Sequence, residues 1–164
     1  EDLEREMYEL VIDQLSVAGY QQYEVSNFAQ PAMTCRHNKA YWDCRAWEAF
    51  GPGAARFDGR KRTTNVRSVS AYIKKLLNDQ SVTGDVDAMT PEGAARERLV
   101  LGLRQQCGVD RLAFSQASGF EVDDLAKKPI QAWVAAGLAE DDGRRIRLTR
   151  SGLLLSDSLW SAVL

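Results

Sequence analysis

The sequence predicts an α+β chain in two parts: an alternating helix–strand segment over residues 1–85 and a winged-helix-like α domain over residues 86–164. Three observations carry this expectation. A helix-period apolar run stops at Gly19 and is followed by a β-prone run. Thr90-Pro91 opens the second part as a helix start. From there the order is three helices, a Gly-containing hairpin and a closing helix.

Each element has its own signal. Leu3, Met7, Leu10, Val11 and Leu15 recur at three- and four-residue steps and predict an amphipathic helix over 2–18, ended by Gly19. Tyr20 to Phe28, with Tyr23 and Val25, reads as a strand bounded by Ser-Asn and Pro31. Residues 30–48 read as a structured loop with one short turn of helix. Phe57-Asp58-Gly59-Arg60-Lys61-Arg62 predicts a tight hairpin on Asp-Gly. A short helix is expected over Ser68–Asn78 and a linker over Gly84–Thr90. In the second part, Ala95, Leu99 and Leu103 share a helix face, and Gly108-Val109-Asp110 connects to a helix from Arg111 that Asp110 caps. A third helix spans Val122–Ala136, kinked or interrupted by Pro129 and stopped by Gly137. A hairpin over 138–148 follows. Thr149 then begins a last helix through Leu153, Leu159 and Val163.

Composition excludes several classes. The chain is 45% hydrophobic and 27% charged, so it can build an ordinary core. Residues 1–85 carry 11 basic and 12 acidic side chains and residues 86–164 carry 10 and 11, so neither half is a polycation suited to nucleic acid. No apolar run is long enough to span a bilayer. Cys35, Cys44 and Cys107 form no Cys-x-x-Cys pair, which fits reduced thiols and a cytoplasmic location. The chain opens without Met inside an apparent helix, the pattern expected of a piece of a longer protein.

Four phrases carry a family resemblance: Tyr23-Glu24-Val25-Ser26-Asn27-Phe28-Ala29; Arg36-His37-Asn38-Lys39-Ala40-Tyr41-Trp42, an H-N-x-x-Y-W motif; Phe50-Gly51-Pro52-Gly53-Ala54-Ala55; and Leu99-Val100-Leu101-Gly102-Leu103-Arg104 with Gly108-Val109-Asp110 behind it. Leu148-Thr149-Arg150-Ser151-Gly152 fits the same tail. In order and spacing the chain resembles the C-terminal region of HemW-type heme chaperones. These are relatives of oxygen-independent coproporphyrinogen III oxidase in the radical SAM superfamily. The resemblance implies an open (β/α)6 barrel holding a 4Fe–4S cluster and S-adenosylmethionine, followed by a small C-terminal domain. Residues 1–85 would be the terminal helix, strand and loops of that barrel. The three-cysteine cluster motif lies elsewhere in such proteins, so this stretch is expected to bind no cluster and to be inactive by itself.

The resemblance also implies site residues. His37, Asn38, Tyr41 and Trp42 would contact heme, with His37 as an iron ligand. The residues alone equally allow a histidine that ties down local backbone, with Tyr41 and Trp42 as packing. Phe28 and Ala29, after Asn27 at a strand end, would border the S-adenosylmethionine pocket. Their alternative is core filling. Cys35, His37 and Cys44 supply too few ligands at the wrong spacing for a zinc finger. Gly51-Pro52-Gly53 lacks a phosphate loop's Lys-Ser/Thr ending, which leaves a close backbone crossing beneath the barrel mouth or a wall of the cofactor pocket. Arg60-Lys61-Arg62 and Arg144-Arg145-x-Arg147 read as solvated hairpin tips, with propionates or peripheral membrane contact as weaker uses. The implied partners are heme or porphyrin and heme-acceptor proteins, with no nucleic acid. Self-association is expected through an exposed barrel edge in residues 1–85. A porphyrinogen oxidase role and a winged-helix nucleic-acid module are the rival functions.

Overall fold

The computed structural model describes residues 2–164. In chain order its elements are α1 (Asp2–Val17), β1 (Gln21–Gln22), β2 (Phe28–Ala29), α2 (Arg36–Trp42), β3 (Ala55–Phe57), β4 (Lys61–Asn65), α3 (Val69–Leu77) and β5 (Thr83–Ala88). They continue as α4 (Pro91–Leu103), β6 (Val109–Asp110), α5 (Arg111–Ser118), α6 (Val122–Ala135), β7 (Ala139–Asp141), β8 (Arg145–Leu148), α7 (Arg150–Leu154) and α8 (Ser156–Leu159), with a closing 3-10 turn over Trp160–Ala162. Two compact units divide the chain. One takes the residues up to Asp43 together with Ala95–Leu164, and the other takes Cys44–Ala94. Their borders do not coincide with the 85/86 division: the residues up to Asp43 group with Ala95–Leu164, and β5, paired with β4, stays in the smaller unit.

The larger unit holds the apolar core. Leu99 and Leu103 of α4, Val122 of α6 and Ile146 of β8 are fully enclosed, with Phe114, Trp133, Trp160 and Val163 around them. Each such aliphatic side chain contributes about 1.5–3 kcal/mol by leaving water. A three-stranded antiparallel sheet in the order β6-β8-β7 lies in this unit, so the expected connector at 108–110 is a short strand. The expected caps form: Thr90 Oγ1 accepts from Gly93 N, Asp110 Oδ1 from Ala113 N and Thr149 Oγ1 from Gly152 N. The bond from Ala113 N also holds the Asp110 carboxyl below its ordinary pKa, helped by Arg144 and Arg145. At both Gly19 and Gly137 the helix closes with paired reverse bonds: Tyr20 N to Leu15 O and Gly19 N to Ser16 O, then Leu138 N to Trp133 O and Gly137 N to Val134 O.

Pro129 bends α6 as its chemistry requires. It has no N–H to give Leu125 O, and Ala126 leaves helical geometry (φ −147°, ψ 24°). Arg96 Nη1 supplies the missing donor, bonding Leu125 O at 2.9 Å and Val163 O at 2.7 Å. One guanidinium thus ties α4 to the kink and to the C-terminal turn.

Several expectations are corrected. Tyr20–Phe28 is not one strand: Ser26 and Asn27 turn the chain, so β1 and β2 pair with each other, Gln21 opposite Ala29 and Gln22 opposite Phe28. The presumed linker at 84–90 overlaps β5, an edge strand all of whose residues are exposed, defined by its backbone ladder with β4 alone. The last helix breaks at Leu155, where Ser158 Oγ takes the Leu155 carbonyl, into α7, α8 and the 3-10 turn.

The smaller unit is β3-β4-β5 with α3. Its hairpin turns at Gly59-Arg60, one residue past the expected Asp-Gly, and Asp58 Oδ1 caps the turn by accepting from Arg60 N and Lys61 N, each at 2.9 Å. Gly51-Pro52-Gly53 is a turn rather than a tight crossing. Gly51 and Gly53 have φ of +100° and +69°, and a Cβ on Gly51 would meet nothing within 4 Å. Gly51 N donates to the Tyr72 hydroxyl and its carbonyl accepts from Asn65 Nδ2.

Candidate functional site: the α2 helix and its supports

A seven-residue helix has little stability of its own. α2 has no side-chain N-cap and no fully buried residue, so its order comes from tertiary contacts. Residues four apart share a helix face. That spacing splits the H-N-x-x-Y-W motif into two pairs with different surroundings.

Asn38 and Trp42 face the body of the unit. Asn38 Nδ2 donates to the Tyr23 hydroxyl at 3.2 Å. The Trp42 ring carries the Arg104 guanidinium 5.4 Å from its centroid. Between them Lys39 Nζ donates to Gln105 Oε1 at 3.4 Å, and Gln105 Nε2 donates to Asp43 Oδ1 at 3.3 Å. These residues fix the helix on the end of α4.

His37 and Tyr41 lie about 100° further round the helix, with Tyr41 half-buried. His37 is exposed, and its Nε2 lies 3.1 Å from the Tyr41 hydroxyl, the rings meeting edge to face at 5.0 Å. Among the described residues Nδ1 makes no hydrogen bond, so one imidazole nitrogen is free for a ligand. The ring is oriented by a side chain and does not tie down backbone. An exposed imidazole beside a phenol can ligate iron while the aromatic edge meets a planar macrocycle. The residues therefore fit a heme, although Nε2 would have to leave Tyr41 to serve as the ligand.

A second polar layer supports the helix. Glu24 is 1% exposed, pairs by backbone with Gln105, and accepts from Ser26 N at 3.2 Å. Gln106 N donates to Tyr23 O, and Gln106 Nε2 to Gln22 Oε1 at 3.0 Å. Gln22 Nε2 in turn bonds the Tyr8 hydroxyl and Val25 O, and Tyr8 itself donates to Val25 O. Burial pushes the Tyr8 phenol above its ordinary pKa, with Glu24 adding to the rise and Gln22 opposing it. It therefore stays a proton donor at neutral pH. Sequence reasoning missed Glu24, Gln105 and Gln106. The one signal for Gln105 and Gln106 is a polar pair continuing directly from an apolar helix.

The other predicted residues lie elsewhere. Phe28 and Ala29 form β2, with Ala29 buried and Phe28 half-buried. No group of three His, Cys, Asp or Glu side chains that could hold a metal occurs among the described residues. Cys44 belongs to the smaller unit, whereas Cys35 and His37 belong to the larger. The Arg144–Arg147 run is spent on carboxylates: Arg144 and Arg145 on Asp110, and Arg147 on Glu140 at 2.6 Å. A groove of about 620 Å³ runs between α1 and the α7–α8 segment, past Tyr8, Val25, Leu153 and Leu154, and none of the predicted site residues lines it. No described helix is long and apolar enough to cross a membrane.

Comparison with known proteins places these features. Residues 89–155 match the family model of the HemN C-terminal domain. The whole chain aligns with 43% of the length of the heme chaperone HemW of Bacillus subtilis at 33% identity. It aligns with 40% of the Mycobacterium tuberculosis H37Rv heme chaperone HemW at 31% identity. Over 99% of the chain it is 32% identical to mouse mitochondrial radical S-adenosyl methionine domain-containing protein 1, covering 39% of that protein. The chain thus spans about two fifths of the length of these relatives. The structure of Escherichia coli coproporphyrinogen III oxidase (HemN), a radical SAM enzyme, superposes with a TM-score of 0.72 over 94% of this chain and 39% of that one, at 17% identity, a likeness of fold. Over its whole length the chain is homologous to the C-terminal part of HemW-type heme chaperones and radical SAM domain proteins, and residues 89–155 are a HemN C-terminal domain.

Proposed function

We propose that this chain is the heme-contacting region of a heme chaperone that binds heme and passes it to acceptor proteins. The observation that carries the reading is exposed His37, oriented by half-buried Tyr41 beside the helix stripe, Asn38 and Trp42, that anchors α2. That relatives of about 30% identity are named heme chaperones supports it. His37 is the candidate iron ligand, Tyr41 orients the imidazole, and Asn38 and Trp42 hold the helix in place. The test is a heme titration of the full-length protein. Saturable uptake with a Soret band is expected, and a spectrum identical to free heme would refute the reading.

In the whole protein the 4Fe–4S cluster and S-adenosylmethionine would supply the redox chemistry typical of the superfamily. We assign Phe28 and Ala29 to the border of the cofactor pocket, supported by the burial of Ala29 and the turn that presents β2. Ala29→Trp in the full-length protein should weaken S-adenosylmethionine binding about tenfold or more by filling that border. Wild-type affinity by calorimetry would remove the assignment. Residues 86–164 suit a winged-helix form, supported by the order α4-β6-α5-α6-β7-β8. Residues 1–85 suit the end of an open barrel.

The exposed stripe Leu3 (68%), Met7 and Leu10 on α1 supports self-association. Light scattering that finds only monomer at high concentration would contradict it. A cytoplasmic setting accords with three free cysteines. The oxidase reading has a likeness of fold behind it and no residue-level observation. The nucleic-acid reading is disfavoured because Arg144, Arg145 and Arg147 are engaged by carboxylates.

A further inference from the structure

We infer that Arg104 is a carboxylate-binding residue of the α2 site, taking a propionate of the bound tetrapyrrole; this rests on the heme reading above. Two phrases far apart in sequence, the one ending in Trp42 and the one ending in Arg104, meet here as a guanidinium stacked on an indole. The stack holds the planar fork in one orientation, which is what bidentate recognition of a carboxylate needs.

The fork is underused. Its ion pair with Asp157 is 3.8 Å long, beyond hydrogen-bond distance, and the Asp157 side chain is 88% exposed. Arg111 in the same unit shows what a committed structural arginine does: it reaches Asp123 and Asp141 at 2.6 Å each. The buried Nε of Arg104 has no partner, which is also true of Arg111, so the difference between the two lies in their terminal nitrogens. The Arg104 side chain is 28% exposed, so a planar anionic group can reach the guanidinium from solvent. A tetrapyrrole carries such groups at one edge of an apolar macrocycle. The imidazole of His37 addresses the metal and Arg104 addresses the acid edge, so the site distinguishes a free-acid tetrapyrrole from an esterified one.

The experiment titrates heme and heme dimethyl ester into full-length wild type, Arg104→Gln and Arg104→Lys. Wild type should prefer the free acid by about tenfold. Arg104→Gln should remove that preference by weakening free-acid binding, with ester binding within about twofold of wild type. Arg104→Lys keeps charge and stem but not the fork, and should fall between the two. An unchanged preference in Arg104→Gln overturns the proposal. If its melting curve shows that variant to be unfolded, an unchanged preference in Arg104→Lys overturns it instead. A wild type that binds both compounds equally overturns the role of Arg104 alone. A wild type that binds neither overturns the heme reading itself.

Discussion

Gly108→Ala is expected to destabilise the larger unit by about 2–6 kcal/mol, the sum of a left-handed backbone cost and an overpacking cost. Gly108 has φ +63°, and a Cβ built there would lie 2.1 Å from the Ile146 carbonyl oxygen. The neighbour is central-strand backbone of β8, which cannot swing aside as a side chain could. Gly119→Ala separates the two costs: its φ is +78° but nothing lies within 4 Å of the added carbon. That variant should lose only about 1–3 kcal/mol. Denaturant melts of the three proteins check both figures, and a Gly108→Ala midpoint equal to that of Gly119→Ala would show that the contact with β8 relaxes freely. The effect should reach the site as well. Gly108 N bonds Gln105 O, and Gln105 holds Lys39 and Asp43 at α2. A shift of β6 therefore loosens the platform under the motif helix.

The same glycines show what was legible in the sequence. Gly19 and Gly137 were readable as helix stops because the chemistry is local: a residue free to take positive φ after an apolar helical run. Asp110, Thr149 and the 57–62 hairpin were readable for the same reason. Gly108 was readable as part of a connector and Gly152 only within a family phrase, and in neither case did the sequence show why glycine is needed. Their physical reason is a distant partner, Ile146 O for one and Leu138 O at 1.9 Å for the other. β5 escaped because every side chain on it is exposed, so no alternation marks it. Tyr20–Phe28 misled because its β-formers are real while Ser26-Asn27 folds them into a hairpin. At the site, the H-N-x-x-Y-W motif marked the right helix but not its division of labour. That division follows from helical geometry joined to partners more than 60 residues away, Gln105 and Arg104, which a single sequence does not pair.

The division of labour yields the other large prediction. His37 is exposed and meets the Tyr41 ring edge to face, so its removal should leave stability within about 0.5 kcal/mol of wild type. Its loss should nevertheless cost heme affinity about 100-fold, at the upper end of what metal sites lose when a supporting group is removed. Trp42→Ala should behave differently. It strips the surface on which Arg104 lies, so any loss of heme should come with a lower melting temperature.

The most direct measurement is a parallel heme titration of full-length wild type and His37→Ala, followed at the Soret band with melting curves recorded on the same samples. We predict matched melting curves, a weakened and shifted Soret response in His37→Ala, and an affinity about two orders of magnitude below wild type. Superimposable titrations with the same Soret maximum would contradict the assignment of α2 as the heme-contacting helix.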